Sequence, residues 1–216
     1  MTQQSAPWKT VWITGASSGI GRQLALDMAG LGVTVAVSAR SAGQLAELAA
    51  DNTFIQSYPL DVTDLAACRK TAKSIEADIA PIDLVIAAAG IWIIRDIKSF
   101  SAQDSAQAMR VNYEGAANVI EAVLPSMMAR RAGHIATVAS VAGYRGIPRA
   151  VTYAPSKAAL ISMAETLRPD AVRHGIKVQI VNPGFVRTPM TAVNDCPMPF
   201  LMEPAEASRR IIAGLR

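Results

Sequence analysis

Tyr153 and Lys157 are the residues of this chain whose types and spacing most directly allow chemistry. The segment 151–160 is predicted to open a helix, where Pro155 suits a first turn because its missing N–H has no intrahelical partner there. Positions i and i+4 share a helix face, so phenol and ammonium should point the same way. An ammonium close by favours the phenolate. The spacing therefore predicts a tyrosine of lowered pKa that exchanges protons near neutrality, although a helical pair without function has the same spacing.

A glycine-rich turn follows the first predicted strand, Lys9–Ile13. The turn is Thr14-Gly15-Ala16-Ser17-Ser18-Gly19-Ile20-Gly21, and a helical pattern of apolar residues comes directly after it. Glycines let the backbone approach a pyrophosphate, and a helix N-terminus supplies free N–H donors. The order strand, turn, helix therefore predicts dinucleotide binding at Gly15, Ser17, Ser18, Gly19, Ile20 and Gly21, with a plain tight turn as the alternative.

Two charged residues lie where the other end of a dinucleotide would bind. The second predicted strand, Thr34–Ser38, is followed by Arg40, at a position where NAD-binding chains place an acidic residue for the ribose. A basic residue there favours the 2′-phosphate of NADP over NAD, unless it is simply a solvated strand-end arginine. Asp61 follows the third predicted strand, 54–60, and either accepts a hydrogen bond from an adenine amino group or forms a turn.

Alternating strands and helices continue through the chain, which predicts an α/β fold. Further strands are predicted at 82–86, 133–139 and 177–181. Helices are predicted at 44–50, from Thr63 or Asp64 to 77, from the Ser101 cap to 131, from 153 to Gly175 and at 205–215. We expect a kink or restart at Pro125 and a break or bend at Pro169. We expect residues 1–216 to form one domain, a doubly wound, Rossmann-like parallel sheet of six or seven strands with helices on both faces.

Ligands of such sheets bind beyond the carboxyl ends of the strands. Ser140 follows the fifth strand there, unless it only forms a turn, and the small residues Ala88 and Gly90 follow the fourth. The loop 189–204 carries methionine and phenylalanine among prolines, which indicates either a mobile apolar lid or a satellite core patch. Segment 91–94 and Tyr144 are expected nearby, which predicts a largely apolar substrate.

The composition excludes several classes of protein. A net charge of +4 with scattered basic residues gives no nucleic-acid stripe, so nucleic-acid binding rests only on the basic pI. Cys68 and Cys196 fit neither a metal spacing nor a disulfide framework, so we expect no metal and a reducing cytoplasm. The polar stretch 1–9 lacks a signal-peptide core, and no apolar run is long enough to span a membrane.

Taken together, these motifs resemble the short-chain dehydrogenase/reductase family over nearly the whole chain, from Thr10 to about Leu215. The resemblance implies hydride transfer between a nicotinamide cofactor, here NADP, and a small-molecule carbonyl or alcohol. It implies that Tyr153 exchanges the proton, that Ser140 polarises the substrate oxygen, and that Lys157 lowers the tyrosine pKa and binds ribose. It further implies the following sites: Asn112 for a water that links Lys157 to solvent, Val62, Ala88 and Gly90 for the cofactor, and Pro183, Gly184, Val186 and Thr188 for the nicotinamide.

The chain departs from the family pattern in two places. Ala88 stands where the family usually has an asparagine that braces the central strands, so cofactor affinity or sheet stability could differ. The sequence also stops after the predicted 205–215 helix, where relatives continue, so we expect truncation or a six-stranded sheet. These departures leave a catalytically silent dinucleotide sensor or scaffold as the alternative function. The family resemblance also implies a homodimer or homotetramer built on the two long helices.

Overall fold

The structure, a computed structural model, describes residues 6–216. The first five residues, part of the polar stretch in which no signal peptide is predicted, lie outside the described residues. The strands are β1 Thr10–Thr14, β2 Thr34–Ser38, β3 Ile55–Ser57, β4 Leu84–Ala87, β5 Gly133–Val138 and β6 Ile176–Val181. The helices are α1 Gly19–Gly30, α2 Ala42–Ala50, α3 Leu65–Asp78, α4 Ala102–Met109, α5 Gly115–Arg130, α6 Tyr153–Arg173 and α7 Pro204–Leu215.

The six strands form one parallel sheet in the order β3-β2-β1-β4-β5-β6. This confirms the predicted doubly wound α/β sheet, with six strands among the described residues. The chain builds outward from β1 first on one side and then, from β4 onward, on the other. The carboxyl ends of β1 and β4 therefore border the crevice in which ligands of such sheets bind.

Apolar side chains alternate between the two faces of the sheet. Val11 and Ile13 of β1 pack into the layer formed with α1, α2 and α7, whereas Trp12 packs into the layer formed with α3, α5 and α6. All three are fully buried, which stabilises the fold by about 1.5–3 kcal/mol for each large side chain. Among residues 6–216, none of the helices combines the length and the apolar character needed to cross a bilayer.

Strand β3 is shorter than the predicted 54–60. Its ladder with β2 covers only Ile55 to Ser57, and Pro59 just beyond has no N–H to donate to a ladder. The N–H groups of Tyr58 and Leu60 still donate to the carbonyls of Val37 and Ala39, at 2.9 Å each. The segment therefore continues along the sheet edge and carries Asp61 to the crevice.

The predicted restart at Pro125 and interruption at Pro169 are wrong, because α5 and α6 each run through their proline as one helix. The kink or bend predicted as the alternative at each proline stays a prediction. A helix-interior proline costs about 3 kcal/mol, and the buried faces of both helices offset that cost. The irregular turn lies elsewhere, at the π-helical stretch Arg110–Glu114 that joins α4 to α5. Gly175 follows the end of α6 with a φ of +72°, in agreement with its predicted role.

Candidate active site

A cleft of about 870 Å³ opens beyond the carboxyl ends of the central strands. An adjoining cavity of about 730 Å³ extends it past β2 and β3. The predicted residues that line the first are Gly15, Ser17, Ser18, Gly19, Ile20, Gly21, Ala88, Gly90, Ser140, Tyr153, Lys157, Pro183, Gly184, Val186 and Thr188. Those that line the second are Gly15, Ser17, Arg40, Asp61, Val62 and Gly90. The fold thus brings every predicted site residue except Asn112 to the wall of one continuous site.

Two glycines of the turn occupy positions that no other residue fits. A Cβ on Gly15, whose φ is +71°, would lie 2.7 Å from the backbone of Ala89. A Cβ on Gly21 would lie 2.5 Å from the carbonyl oxygen of Gly15. Both contacts are far shorter than carbon atoms tolerate, so the glycines allow the turn to fold onto itself and onto the segment after β4.

The start of α1 lacks the side-chain cap that α3 and α4 have. Asp64 caps α3 by accepting the Ala67 N–H at 2.9 Å, and Ser101 caps α4 by accepting the Asp104 N–H at 3.1 Å, as predicted. Ser18, at the same position of α1, makes no side-chain cap bond. The first-turn N–H groups of α1 therefore remain available to an anion, which fits a pyrophosphate.

Ser140, Tyr153 and Lys157 meet at the inner end of the cleft. The Lys157 side chain is buried, with Nζ donating to the Val138 carbonyl at 2.8 Å and lying 5.5 Å from the centroid of the Tyr153 ring. The Ser140 Oγ accepts the Ala142 N–H at 3.2 Å. A hydroxyl, a phenol and an ammonium thus line one cavity at the end of β5 and the start of α6.

Burial controls the protonation of Tyr153 and Lys157. It raises the pKa of Tyr153, and the neighbouring Ser140 hydroxyl acts in the opposite direction. It also lowers the pKa of Lys157 to about 8, because the ammonium is removed from water. The expectation of a Tyr153 pKa below its usual value is therefore wrong for this structure, since desolvation of the phenol dominates. The effect of Lys157 on that phenol stays a prediction.

Asn112 lies behind the cleft wall, fully buried in the π-helical turn. Its Oδ1 accepts the Ile91 N–H at 2.7 Å, and its Nδ2 donates to the Ile91 carbonyl at 3.1 Å and to Ser156 Oγ at 2.9 Å. A Cβ on Gly90 would lie 3.2 Å from Asn112 Oδ1 and 3.6 Å from Lys157 Nζ, so only a glycine separates the two. Asn112 Oδ1 keeps one free lone pair, which could accept a hydrogen bond from a water. The water-holding role of Asn112 stays a prediction.

Ser156 is a site residue that the sequence reasoning missed. It is fully buried, and its hydroxyl donates to the Tyr153 carbonyl at 2.7 Å while accepting from Asn112. It thereby joins α6 to the π-helical turn. The available signal was a serine inside the turn between Tyr153 and Lys157.

Thr14 supplies the contact between β1 and β4 where the family asparagine is replaced by Ala88. The Ala89 N–H donates to Thr14 Oγ1 at 3.4 Å. Ala88 itself lines the cleft. The two central strands are therefore still joined at their carboxyl ends, by a threonine hydroxyl.

The part of the site beyond β2 and β3, where the adenosine end of a cofactor is predicted, is exposed. Asp61 Oδ1 accepts from the N–H and the hydroxyl of Thr63, at 2.9 and 2.8 Å, which makes it a turn residue that also lines the cavity. These bonds and, more weakly, the charge of Arg40 lower the Asp61 pKa. Arg40 is exposed on the same cavity wall.

Part of the predicted lid borders the site. Met190 and Thr191 line the cleft, whereas Phe200 is 95% exposed. Tyr144, expected nearby, is 67% exposed and its hydroxyl accepts from Asn182 Nδ2. Closure of the loop 189–204 stays a prediction.

Comparison with known proteins agrees with this geometry. Residues 9–196 match the family model described as short chain dehydrogenase. The chain belongs to the short-chain dehydrogenase family. As a member of this family it is an NAD(P)-dependent oxidoreductase.

Relatives of the short-chain dehydrogenase span most of its length. An uncharacterised oxidoreductase of Myxococcus xanthus is 38% identical over 96% of this chain and 84% of its own. A dehydrogenase/reductase SDR family protein 7-like of Drosophila melanogaster is 33% identical over 86% of this chain and 59% of its own. The solved structure of ElxO with NADP bound superposes with a TM-score of 0.86 at 23% identity, covering 97% of this chain and 92% of that one. This likeness shows the shared fold.

Proposed function

We propose that this enzyme transfers a hydride between NADP and a carbonyl or alcohol substrate, with Tyr153 as the general acid and base. The observation that carries the proposal is the meeting of Ser140, Tyr153 and Lys157 in the cleft that the uncapped start of α1 also borders. A proton donor, an oxygen-polarising hydroxyl and a cation beside an anion site are the groups that carbonyl reduction requires.

Different segments of the cleft wall would bind different parts of the cofactor. The glycine-rich turn would hold the pyrophosphate, Asp61 and Val62 the adenine end, Ala88 and Gly90 the middle of the crevice, and Pro183, Gly184, Val186 and Thr188 the nicotinamide. When bound, nicotinamide supplies or accepts the hydride. Arg40 supports NADP over NAD, because a guanidinium on the cavity wall pairs with a 2′-phosphate. The NADP held by the structural neighbour ElxO is consistent with this preference.

The side chains at the inner end would move the proton. In the direction of reduction, Ser140 donates a hydrogen bond to the substrate oxygen, and Tyr153 gives that oxygen its proton as the carbon receives the hydride, which yields the alcohol. The raised pKa of Tyr153 keeps the phenol protonated until then. The Lys157 ammonium stabilises the phenolate that forms, and Asn112 holds a water through which the proton is replaced from solvent.

The family relationship supports two further parts of the proposal. We expect the enzyme to work in the cytoplasm as a homodimer or homotetramer that pairs through the long helices α5 and α6. Size-exclusion chromatography with light scattering measures the assembly, and a monomer at micromolar concentration would contradict it.

Purified enzyme with NADPH and a panel of ketones tests the reaction. We expect loss of NADPH absorbance with apolar ketones in preference to small charged keto acids, and turnover about a thousandfold lower in Tyr153→Phe. Tight NADPH binding in calorimetry without turnover across the panel would instead support the dinucleotide sensor.

A further inference from the structure

The backbone on both sides of Trp92 is held by elements of the active site. Asn112 bonds both the N–H and the carbonyl of Ile91, at 2.7 and 3.1 Å. The hydroxyl of Thr152, which directly precedes Tyr153, donates to the Ile93 carbonyl at 2.6 Å. The segment after β4 is therefore fixed where Trp92 projects from it.

The side chain of Trp92 connects the catalytic tyrosine to the loop after β6. Its ring meets that of Tyr153 edge to face, with centroids 5.0 Å apart and an interplanar angle of 81°. This is a favourable aromatic geometry. The indole Nε1–H donates to Asn194 Oδ1 at 3.0 Å, which links the indole to that loop.

The loop that supplies Asn194 is itself anchored at its base. The Met202 N–H donates to the Phe185 carbonyl and the Arg187 N–H to the Met202 carbonyl, both at 2.9 Å. Next to Asn194, Asp195 forms a separate ion pair with Arg149. Two side-chain contacts from adjacent residues thus hold the tip of the loop, and only the first involves the indole.

Trp92 also borders an uncharged cavity of about 510 Å³ between this loop and Tyr153. Ile147, Phe185 and Met190 provide apolar wall, and none of the lining residues is an Asp, Glu, Lys, Arg or His. A charged substituent on the substrate would find no opposite charge there. Because Ser140 and Tyr153 lie at one end of the cavity, a carbonyl held by them would place its substituent beside the indole.

We propose that Trp92, oriented by Asn194, is the specificity-determining residue of this enzyme, and that it selects uncharged ketones whose substituent is small enough to fit beside a fixed indole. The inference rests on the proposed carbonyl reduction. The hydrogen bond to Asn194 matters because it fixes the position of the indole. If the indole could rotate, the cavity could widen and would no longer exclude larger substituents of the substrate.

Matched aryl ketones of different size test the proposal. We compare kcat/KM for acetophenone and 2-acetylnaphthalene, with the wild type favouring acetophenone. Trp92→Ala is expected to shift the ratio toward the naphthyl ketone by about tenfold, within the range that pocket shape supplies. Asn194→Ala is expected to shift it by about fivefold, the value of one neutral hydrogen bond, and Asn194→Asp should restore the ratio because it keeps the acceptor oxygen.

Asp195→Ala is the matched control, since it loosens the same loop tip without touching the indole. Its size ratio should stay at the wild-type value. In Trp92→Phe, which lacks the indole N–H, adding Asn194→Ala should change the ratio less than it does in the wild type, the remaining change being the space that Asn194 itself vacates on the cavity wall. An unchanged ratio in Trp92→Ala, or an equal shift in Asp195→Ala, would overturn the proposal.

A second measurement separates this inference from the proposed function. The indole N–H groups of Trp8, Trp12 and Trp92 donate to His134, Ser38 and Asn194, respectively. In NMR spectra, Asn194→Ala should shift the Trp92 indole resonance and speed its exchange with solvent while leaving the other two unchanged. An unmoved Trp92 resonance would overturn the fixed indole whether or not any ketone is reduced. Absence of ketone turnover in the wild type would refute the proposed function and the ketone selection that rests on it, whereas the resonance of Trp92 would still decide whether Asn194 fixes the indole.

Discussion

The two ends of the cleft differ in how far water reaches their polar groups. At the inner end, Lys157 and Asn112 are 4% and 0% exposed, and each bonds to backbone carbonyls inside the protein. At the outer end, Arg40 and Asp61 are exposed, and the turn bonds of Asp61 stay within three residues of sequence. Water can replace a lost partner at the outer end but not at the inner one. Substitutions should therefore disable the inner end and only retune the outer end.

The largest effect is expected from Tyr153→Phe, which removes the proton donor and little else. We expect kcat for ketone reduction to fall about a thousandfold with the fold intact. Stopped-flow or steady-state NADPH oxidation measures it. Tyr144→Phe, which alters an exposed tyrosine outside the cleft lining, should retain full activity, and equal losses in the two variants would remove the assignment.

Lys157→Met should separate activity from stability. We expect kcat to fall about a hundredfold, because the phenolate loses its cation. Below pH 8 both folded and unfolded chains carry this ammonium, and its lowered pKa in the folded state corresponds to a penalty of about 3 kcal/mol that the variant lacks. The free energy of unfolding at pH 7, measured in urea titrations, should therefore rise by about 1–3 kcal/mol. The rise is smaller than the full penalty because the Val138 carbonyl loses its hydrogen-bond donor in the variant. Lys177→Met, at an exposed lysine, serves as the control, and a less stable Lys157→Met would contradict the penalty.

The pH profile should report the same buried amine. Lys157 is protonated only below its pKa of about 8, and burial raises the pKa of Tyr153, so both proton-carrying forms prevail at lower pH. For ketone reduction, kcat/KM should be level below pH 8 and fall about tenfold per unit above it. A profile that rises through pH 8 would show that the neutral amine is the active form.

Arg40→Ala tests the exposed end. We expect kcat/KM for NADPH to fall about tenfold with that for NADH unchanged, because the guanidinium pairs only with the 2′-phosphate and water screens it. Raising the salt concentration should weaken NADPH binding in the wild type in the same direction. Equal losses for both cofactors would assign NADP preference to other residues.

Asp61→Asn should give the smallest change. It removes a negative charge near Arg40 while keeping an oxygen for the Thr63 bonds, so NADPH affinity should rise about twofold to threefold at low salt. Isothermal calorimetry measures this, with NADH as the reference cofactor. A loss of affinity for both cofactors would instead show that binding of the adenine end needs the carboxylate charge and not only an acceptor oxygen.

Local patterns predicted local structure well. Strand β2 and the caps at Asp64 and Ser101 depend on residues within one or two turns, and the structure has them where expected. A restart at Pro125 and an interruption at Pro169 were predicted wrongly, because tertiary packing outweighs one lost hydrogen bond. The alternation of strands and helices predicted the parallel sheet. A parallel sheet places the carboxyl ends of its strands at one edge, so the location of the site was predicted with it.

Features that depend on long-range packing could not be predicted. The pKa of Tyr153 depends on burial, which the i, i+4 spacing does not reveal. The bond between Trp92 and Asn194 joins residues 102 positions apart, and no pattern in either segment indicates it. The π-helical turn around Asn112 likewise has no periodicity that sets it apart from the helix on either side.

That π-helical turn makes the length of the chain critical at one point. A π turn holds one residue more than an α turn, so the stretch Arg110–Glu114 behaves as an insertion built into an otherwise regular rod. Because the π turn takes up its extra residue locally, deleting any one of these five residues would restore ordinary winding and leave α4 and α5 close to their present orientation. The Asn112 amide would lose its place against Ile91, so one missing codon would damage the pocket wall while sparing the helix.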